Sequence, residues 1–326
     1  MSTKLKACFL FSMPRSGSTL LQRMLAVHER VGSAAEPWVL LPYLYTMRYD
    51  GIVSHYSHFQ AVRAIHDFCR EFPKGEQDYL DSLAEFVMSL YRKAAQPDVE
   101  YFLDKSPPYC LIAGDIMRLL PDAKAVFLFR SPGQIAASIC ETFDEGRWSV
   151  PSWKPYLYDG MSHMISAYEE FEDRSLRVNY ESLIKDPEAS CRRIVDYLEV
   201  DYDPRMISDF SNVKFKGNLG DQTGRFEYNK VSREPLEKWK KTLANPIRKN
   251  WLKRYLKWLG PERINSMGYQ FDEQMNDAKE ISSGMRYLFS DSLRVMRSMV
   301  SCIIEPHQIR AKLKKLPAFN QIHKHY

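Results

Sequence analysis

Short apolar runs alternate with amphipathic stretches along the first two thirds of the chain. Five runs have the composition of buried strands: 5–11, 31–35, 100–103, 124–129 and 175–180. Between them, apolar side chains recur every three or four positions, which predicts helices over 18–28, 79–95, 111–119, 132–143, 161–173 and 187–198. Repeated alternation of strands and helices is typical of a parallel sheet with helices on both faces. The sequence therefore predicts an α/β fold of three layers.

The last third of the chain has a different pattern. It predicts helices rich in Lys, Arg and Trp over 233–259, a polar linker over 272–284 and one further amphipathic helix. We therefore predict two parts. The main domain spans 1–272, and a linker with a basic amphipathic helix and tail spans 273–326.

The net charge of +5 is concentrated in this C-terminal part, because residues 284–326 hold eight Lys or Arg and only two acidic residues. The main domain lacks the basic excess of a nucleic-acid-binding protein, so we do not expect nucleic acid as a partner. The apolar stripe of the last helix is expected to cover the main domain or a second subunit. The basic stretch 310–315 leaves open a peripheral contact with an anionic membrane. The oligomeric state stays open.

Composition is that of a globular protein, with 44% apolar and 27% charged residues in 326. No apolar run reaches the roughly 20 residues that cross a bilayer, and the first residues do not form a leader peptide. The six cysteines are scattered without a CxxC pair. We therefore expect a cytoplasmic protein with reduced thiols, no disulfide framework and no metal site.

The most informative stretch is 9–21, in which an apolar strand leads through a turn of small residues into an amphipathic helix. Such a turn directs backbone N–H groups and a helix N-terminus at one point, where phosphate oxygens bind. The spacing of the triphosphate-binding loop G-x-x-x-x-G-K-[ST] falls on Ser12, Gly17, Ser18 and Thr19. The lysine of that motif is missing. The loop therefore favours a nucleotide without a triphosphate.

A second strand, turn and helix follow at 126–138. Arg130 ends the strand, where a Mg²⁺-binding enzyme would carry Asp, and Ser138 lies about two helical turns later. The two side chains can flank a second phosphate, although an Arg in this position can also pair with a surface carboxylate. Two anion-binding elements on neighbouring strands predict a ligand with phosphates at two positions.

Together these segments resemble the sulfotransferases that use 3′-phosphoadenosine-5′-phosphosulfate (PAPS), in which a Pro-Arg-Ser-Gly-[ST]-[ST] loop binds the 5′-phosphosulfate. The resemblance assigns that role to Pro14, Arg15, Ser16, Gly17, Ser18 and Thr19. It assigns the 3′-phosphate to Arg130 and Ser138, and a later loop over the nucleotide to Lys230 and Ser232. The stretch after the fifth strand is similar to the family's Tyr-Glu-x-Leu segment. We interpret its Tyr180 and Glu181 as mainly structural.

Sulfuryl transfer to an alcohol needs a base for the acceptor proton and cations for the charge that develops on the leaving oxygen. Glu36 follows the second strand, as does the catalytic Glu of Golgi-type members, and is expected to be the base rather than a solvated or helix-capping residue. Pro107 stands where the cytosolic members carry a catalytic His. The resemblance pairs Lys105 with Arg15 at the leaving oxygen, and a salt bridge to Asp104 or another carboxylate is the alternative for Lys105.

The sequence thus predicts a P-loop-like enzyme with a C-terminal helical appendage. It is expected to move a sulfuryl group from PAPS to a hydroxyl of a saccharide, glycolipid or small metabolite, releasing 3′,5′-diphosphoadenosine without a metal. Two alternatives stay open. One is a P-loop kinase of small molecules, and the other is a non-catalytic module that binds anions or nucleic acid through its basic helices.

Overall fold

A computed structural model describes residues 5–52, 54, 56–216, 233 and 235–304 of the chain. Its five strands form one parallel sheet in the order β2-β3-β1-β4-β5. The strands are β1 Lys6–Ser12, β2 Val31–Ser33, β3 Tyr101–Asp104, β4 Lys124–Phe129 and β5 Ser175–Asn179. Each lies within one residue or two of its predicted bounds. The predicted parallel α/β sheet is confirmed.

The helices of the described residues alternate with these strands and then continue beyond the sheet. They are α1 Ser18–Leu25, α2 Leu40–Leu44, α3 His58–Cys69, α4 Glu76–Ala94, α5 Ala113–Leu119, α6 Pro132–Asp144, α7 Met161–Glu170, α8 Tyr180–Lys185, α9 Pro187–Leu198, α10 Arg205–Ser208, α11 Pro235–Thr242, α12 Pro246–Ser266, α13 Phe271–Glu280 and α14 Leu288–Ile304.

The sheet is covered on both faces because alternate strand residues enter separate hydrophobic clusters. On one face, Phe9 and Phe11 of β1 join buried residues of α4, α5, α6, α7 and α12. On the other face, Cys8 and Leu10 join residues of α1 and α9. Burial on both sides explains why the strands are continuous apolar runs. The three predicted layers are confirmed.

The strand order reverses direction around β1. The chain passes from β1 to the edge strand β2, returns through β3, and then continues on the opposite side through β4 and β5. In open parallel sheets, ligands bind outside the carboxyl ends of the strands at such a switch point. The ends of β1, β3 and β4 therefore mark the place to look for a site.

The segment 272–284 is not the polar linker that the sequence predicted, because it contains most of α13. This helix packs along α12 and buries only Ala278, while Ile281 directly after it is also buried. Its polar surface is used in ion pairs: the Lys240 ammonium lies 2.7 Å from Asp277 and 2.9 Å from Glu280. The sequence of this helix has few apolar residues among many acidic and polar ones, as a linker does. For this reason the sequence analysis predicted a linker here.

The final helix, α14, is attached to the rest of the protein by a buried ion pair. The Arg248 guanidinium donates to both carboxylate oxygens of Asp291, at 2.7 and 3.1 Å, and the Asn245 amide adds a third hydrogen bond of 2.6 Å. Arg248 and Asp291 are 2% and 0% exposed. The predicted C-terminal helix is present, and both Asp291 and Val295 lie on the side that faces the protein.

Three further properties concern the described residues alone. The cysteines at positions 8, 69, 110, 140 and 191 are free. No group of three or more His, Cys, Asp or Glu side chains in this part of the chain is arranged to hold a metal ion. None of the helices described is long and apolar enough to span a bilayer.

Candidate functional site

The turn between β1 and α1 has a backbone that only certain residues adopt readily. Arg15 and Gly17 have left-handed φ values of 68° and 88°. A Cβ at position 17 would also lie 2.4 Å from the Tyr180 ring, so glycine is needed for both conformation and space. The hydroxyls of Ser12 and Ser16 are buried without a hydrogen-bond partner in the described structure. Unsatisfied buried donors at a helix N-terminus fit an anion that would bind them.

The second predicted element lies directly against this turn. The Arg130 guanidinium donates to the backbone carbonyl of Arg15 at 2.7 Å and to the Gln134 amide oxygen at 3.1 Å. In return, the Arg15 guanidinium donates to the Ser138 hydroxyl at 3.4 Å. The sequence analysis assigned Arg15 to one phosphate and Arg130 with Ser138 to the other. In the structure these three residues are in contact.

Tyr180 and Glu181 contribute more to the site than the sequence indicated. The Tyr180 ring fills the space over Gly17, and the Arg130 guanidinium lies 4.1 Å from the ring centroid. Burial raises the pKa of the Tyr180 phenol. Glu181 accepts hydrogen bonds from the Ser131 N–H at 3.1 Å and from the Tyr269 hydroxyl at 2.6 Å. These contacts connect the turn after β1 with the turn after β4.

Glu36 and Lys105 form a direct ion pair at the ends of β2 and β3. The Lys105 ammonium lies 2.7 Å from the Glu36 carboxylate, and the two side chains are 2% and 10% exposed. The same ammonium donates to the Thr19 hydroxyl at 3.4 Å, in the first turn of α1. The expected base and the expected cation are thus neighbours, and Lys105 also contacts the start of α1. The alternative role predicted for Lys105 was a salt bridge to a carboxylate, and Glu36 is such a partner.

Trp38 lies beside this pair and was not singled out in the sequence. Its indole N–H donates to the second Glu36 carboxylate oxygen at 3.0 Å, and its backbone φ is 54°. A left-handed bulky residue is strained and marks a place where other contacts hold the chain. The signal available in the sequence was an aromatic residue two positions after the expected base.

A series of aromatic contacts begins at Arg15. The Arg15 guanidinium lies 6.0 Å from the Phe143 centroid, the Phe143 and Trp153 centroids are 4.7 Å apart, and those of Trp153 and Tyr156 are 5.6 Å apart. Burial raises the pKa of the Tyr156 phenol, and nearby negative groups including Glu36 add to the shift. Half-exposed rings thus extend from Arg15 towards Glu36.

A buried carboxylate, Asp104, precedes Lys105 in the chain. It accepts hydrogen bonds from the hydroxyls of Tyr91 at 2.6 Å, Ser106 at 3.0 Å and Tyr109 at 3.2 Å. Burial raises the pKa of Asp104 to about 6, although the three hydroxyls act in the opposite direction. This cluster also escaped the sequence analysis, because its members are spread from α4 to the turn after β3.

The remaining predicted residues divide into two groups. Pro14 and Ser18 lie in the turn and at the start of α1, as expected. Lys230 and Ser232, assigned to a loop over the nucleotide, lie outside the described residues. The helix that follows them packs its Trp239 ring against Gly133 of α6, so this aromatic residue belongs to the core.

A family model described as the sulfotransferase family matches residues 8–204. The chain is 32% identical over 145 residues to the nodulation protein NoeE of Sinorhizobium fredii, which covers 44% of this chain and 32% of that protein. It is 24% identical over 260 residues to a protein-tyrosine sulfotransferase of Drosophila melanogaster, covering 77% of this chain and 46% of the relative. The chain thus spans less than half the length of either protein.

A solved structure gives the same architecture. The sulfotransferase domain from the curacin biosynthetic pathway aligns over 82% of this chain and 99% of that domain, with a TM-score of 0.55 and 19% identity. At this level of identity, the likeness concerns the fold. It agrees with the parallel sheet and flanking helices described above.

Proposed function

Because the chain belongs to the sulfotransferase family, we propose that it transfers a sulfuryl group from PAPS to a hydroxyl of a saccharide, glycolipid or small metabolite. The observation that carries this proposal is the contact between two anion-binding elements beside a buried acid–base pair. Arg130 bonds the Arg15 carbonyl at 2.7 Å, and Lys105 bonds Glu36 at 2.7 Å. One ligand with two separated phosphates and a reactive end would engage all four residues.

The donor would be held by the turn after β1 and by the segment that runs from the end of β4 into α6. The unsatisfied hydroxyls of Ser12 and Ser16, and the first N–H groups of α1, fit the 5′-phosphosulfate. Arg130 and Ser138 would hold the 3′-phosphate through charge-assisted hydrogen bonds. The turn would be shaped by Pro14, Gly17, Ser18 and Thr19. Contacts to the nucleotide from a later loop are proposed for Lys230 and Ser232.

In the proposed reaction, the acceptor oxygen forms a bond to sulfur while the bond between sulfur and the bridging phosphate oxygen breaks. Glu36 takes the acceptor proton, and the electron pair stays on the 5′-phosphate of 3′,5′-diphosphoadenosine. Lys105 and Arg15 would stabilise this developing charge. An ammonium group has three donors, so Lys105 can keep its bond to Thr19 while it serves the leaving oxygen.

The aromatic rim of Trp38, Phe143, Trp153 and Tyr156 supports an acceptor with a flat or pyranose ring. Rings of this kind present large, rigid contact area with a polar edge. Trp38 bonds Glu36 directly, so an acceptor stacked on this rim would bring a hydroxyl towards the base. We therefore place the acceptor between the rim and Glu36.

Ligand binding tests the donor and separates this function from the alternatives. 3′,5′-Diphosphoadenosine should raise the melting temperature in the presence of EDTA, whereas Mg-ATP should not. Stabilisation by Mg-ATP alone would favour the kinase. Binding of nucleic acid with a steep salt dependence, and no nucleotide effect, would favour the non-catalytic module.

We further propose that residues 284–326 form a separate functional part that contacts an anionic membrane surface. Met285, Phe289, Leu293 and Met296 are exposed on or beside α14. The excess of basic residues in this segment supports a lipid surface rather than a neutral partner. This contact would bring the active site close to a glycolipid acceptor.

A further inference from the structure

The segment that follows Glu36 is fastened to the end of β3 by two hydroxyl groups. The Trp38 N–H donates to the Ser106 hydroxyl at 3.2 Å, and the Leu40 N–H donates to the Tyr109 hydroxyl at 3.1 Å. Both hydroxyls are buried, so each bond forms in a medium where an unpaired N–H is costly. They span 68 and 69 positions of sequence. The course of the chain after β2 therefore depends on residues that directly follow β3.

Each of these hydroxyls donates a hydrogen bond to the same carboxylate, that of Asp104. The Ser106 hydroxyl donates to one oxygen of Asp104 at 3.0 Å, and the Tyr109 hydroxyl donates to the other at 3.2 Å. A hydroxyl has one proton, so donation to Asp104 leaves only its lone pairs facing the backbone N–H groups. Asp104 thus orients both hydroxyls as acceptors for the segment after Glu36.

The same segment controls the base through Trp38. Its left-handed φ of 54° is a strained conformation for tryptophan, and the bond from its N–H to Ser106 opposes relaxation. In this conformation the indole N–H reaches one Glu36 oxygen at 3.0 Å, while Lys105 holds the other at 2.7 Å. Both oxygens of Glu36 are therefore fixed by groups adjoining Asp104 or tied to it.

We propose that Asp104 is a positioning residue for Glu36 and acts through Ser106 and the strained Trp38. The inference rests on the proposed function of Glu36 as base. Asp104 itself touches no reacting atom. It sets the direction of the Ser106 hydroxyl, which holds Trp38, which in turn aims the carboxylate at the acceptor hydroxyl.

The test uses the full chain and steady-state kinetics of sulfuryl transfer. Ser106→Ala removes the acceptor for the Trp38 N–H, and Trp38→Phe removes the indole donor. Each should lower kcat about ten- to a hundredfold, as expected when a reacting group is misplaced by about 1 Å. The Kd for 3′,5′-diphosphoadenosine should stay within about twofold, because the phosphate contacts are separate.

Tyr91→Phe is the matched control. It removes the third hydroxyl from the same Asp104 carboxylate, but this hydroxyl bonds Asp104 and not the segment 36–40, and the ring keeps its stack on Phe102 at 4.5 Å. We expect lower stability with kcat within about threefold of wild type. Equal kcat losses in Tyr91→Phe and Ser106→Ala would overturn the relay, because the effect would then be general loosening.

A double-mutant cycle separates this inference from the function on which it rests. In the background of Glu36→Gln, Trp38→Phe and Ser106→Ala should cause no further loss of kcat. Independent, additive losses would overturn the positioning role. Near-normal turnover by Glu36→Gln alone would instead refute Glu36 as base. Trp38 is 36% exposed, so Trp38→Phe keeps the test decisive if Ser106→Ala fails to fold.

Discussion

At the scale of single residues, the proposed base is held in place by one group of opposite charge, Lys105, and by a hydrogen bond from Trp38. Glu36 is only 10% exposed and is paired with Lys105, which is 2% exposed. Removing one member of a buried pair leaves the other charge without compensation, which destabilises a protein by about 3–5 kcal/mol. Substitutions that keep size and hydrogen bonding are therefore the informative ones.

Glu36→Gln is the first such substitution. Glutamine keeps an oxygen for Lys105 and the shape of the side chain, but it cannot take the acceptor proton. We expect affinity for 3′,5′-diphosphoadenosine to survive, while sulfuryl transfer under single-turnover conditions falls by about 10²- to 10⁴-fold. EDTA should not reduce the wild-type rate. Near-normal transfer by the variant would direct the search to another base.

Arg130→Ala tests the assignment of the two phosphates. The change removes a charge-assisted contact, which is worth about 1.5–3 kcal/mol, or about ten- to a hundredfold in affinity. The loss should be large for 3′,5′-diphosphoadenosine and small for adenosine-5′-phosphosulfate, which has no 3′-phosphate. Arg15→Ala is the comparison and should weaken both ligands. Calorimetry that finds equal losses for both ligands in Arg130→Ala would contradict the assignment.

At the scale of elements, the turn between β1 and α1 depends on one glycine. Gly17 has φ 88°, and any Cβ there would meet the Tyr180 ring at 2.4 Å. The ring is in turn packed against Arg130, whose guanidinium lies 4.1 Å from its centroid. A side chain at position 17 would therefore disturb both of the proposed phosphate-binding elements together.

Gly17→Ala should lower the affinity for 3′,5′-diphosphoadenosine at least about tenfold, because the strain costs about 1–3 kcal/mol. Gly146→Ala is a matched control, since Gly146 also has a positive φ, of 81°, but the nearest atom to its Cβ would be a Glu141 oxygen at 3.4 Å. That variant should lose stability and keep its affinity. Equal affinity losses in both variants would show that positive φ alone, and not the Tyr180 contact, is responsible.

The sequence predicted the sheet well because its strands are buried on both faces. A strand such as Lys124–Phe129 is then a continuous apolar run with a recognisable end. The helix α13 was missed because its apolar signal is weak. Phe271, Met275 and Ala278 are separated by acidic and polar residues, and only Ala278 is fully buried.

The sequence motifs of the site could be predicted, but the hydrogen bonds that connect its segments could not. The turn Pro14–Thr19 and Arg130 follow from local strand-turn-helix patterns. The strained Trp38 and the Asp104 cluster do not, because they depend on hydrogen bonds between segments about 70 positions apart, such as Trp38 to Ser106. Sequence periodicity carries no information about such pairs.

At the scale of the whole molecule, α14 is docked on the folded protein and also exposes large apolar side chains. Asp291 is buried against Arg248 and Asn245, and the Arg294 guanidinium donates to Asp144 of α6 at 3.1 Å. Truncation near residue 280 would therefore leave Arg248 as a buried charge without its partner. Point substitutions on α14 are the better way to study it.

Asp291→Ala should lower the free energy of unfolding by about 3–5 kcal/mol, measured by urea denaturation, since it breaks a buried ion pair. The double variant Arg248→Met, Asp291→Leu removes both charges and should recover a large part of this loss. Equal stability of Asp291→Ala and the wild type would show that α14 does not stay docked in solution.

The outward side of α14 leads to the last prediction. Phe289, Leu293 and Met296 are spaced four and three positions apart, so they share one face of the helix, with exposed fractions of 79%, 47% and 58%. Asp291 lies on the opposite face. Asp291 and the half-buried Val295 face the protein, whereas Phe289, Leu293 and Met296 face outward, so the helix exposes apolar side chains that a helix covering a core would bury. Such a face requires a partner, and the basic residues of 284–326 favour an anionic lipid surface.

The full-length protein should sediment with vesicles that contain phosphatidylglycerol at low salt, and less at high salt, because each basic residue near the surface adds about 1 kcal/mol. Phe289→Ser combined with Leu293→Ser should abolish sedimentation without changing nucleotide affinity. Phe68→Ser is the control, since Phe68 is 62% exposed on α3 and should have no effect. If wild-type protein ignores the vesicles, and instead forms a dimer that the double variant loses, then the apolar face of α14 binds a second copy of the chain and the membrane contact is wrong.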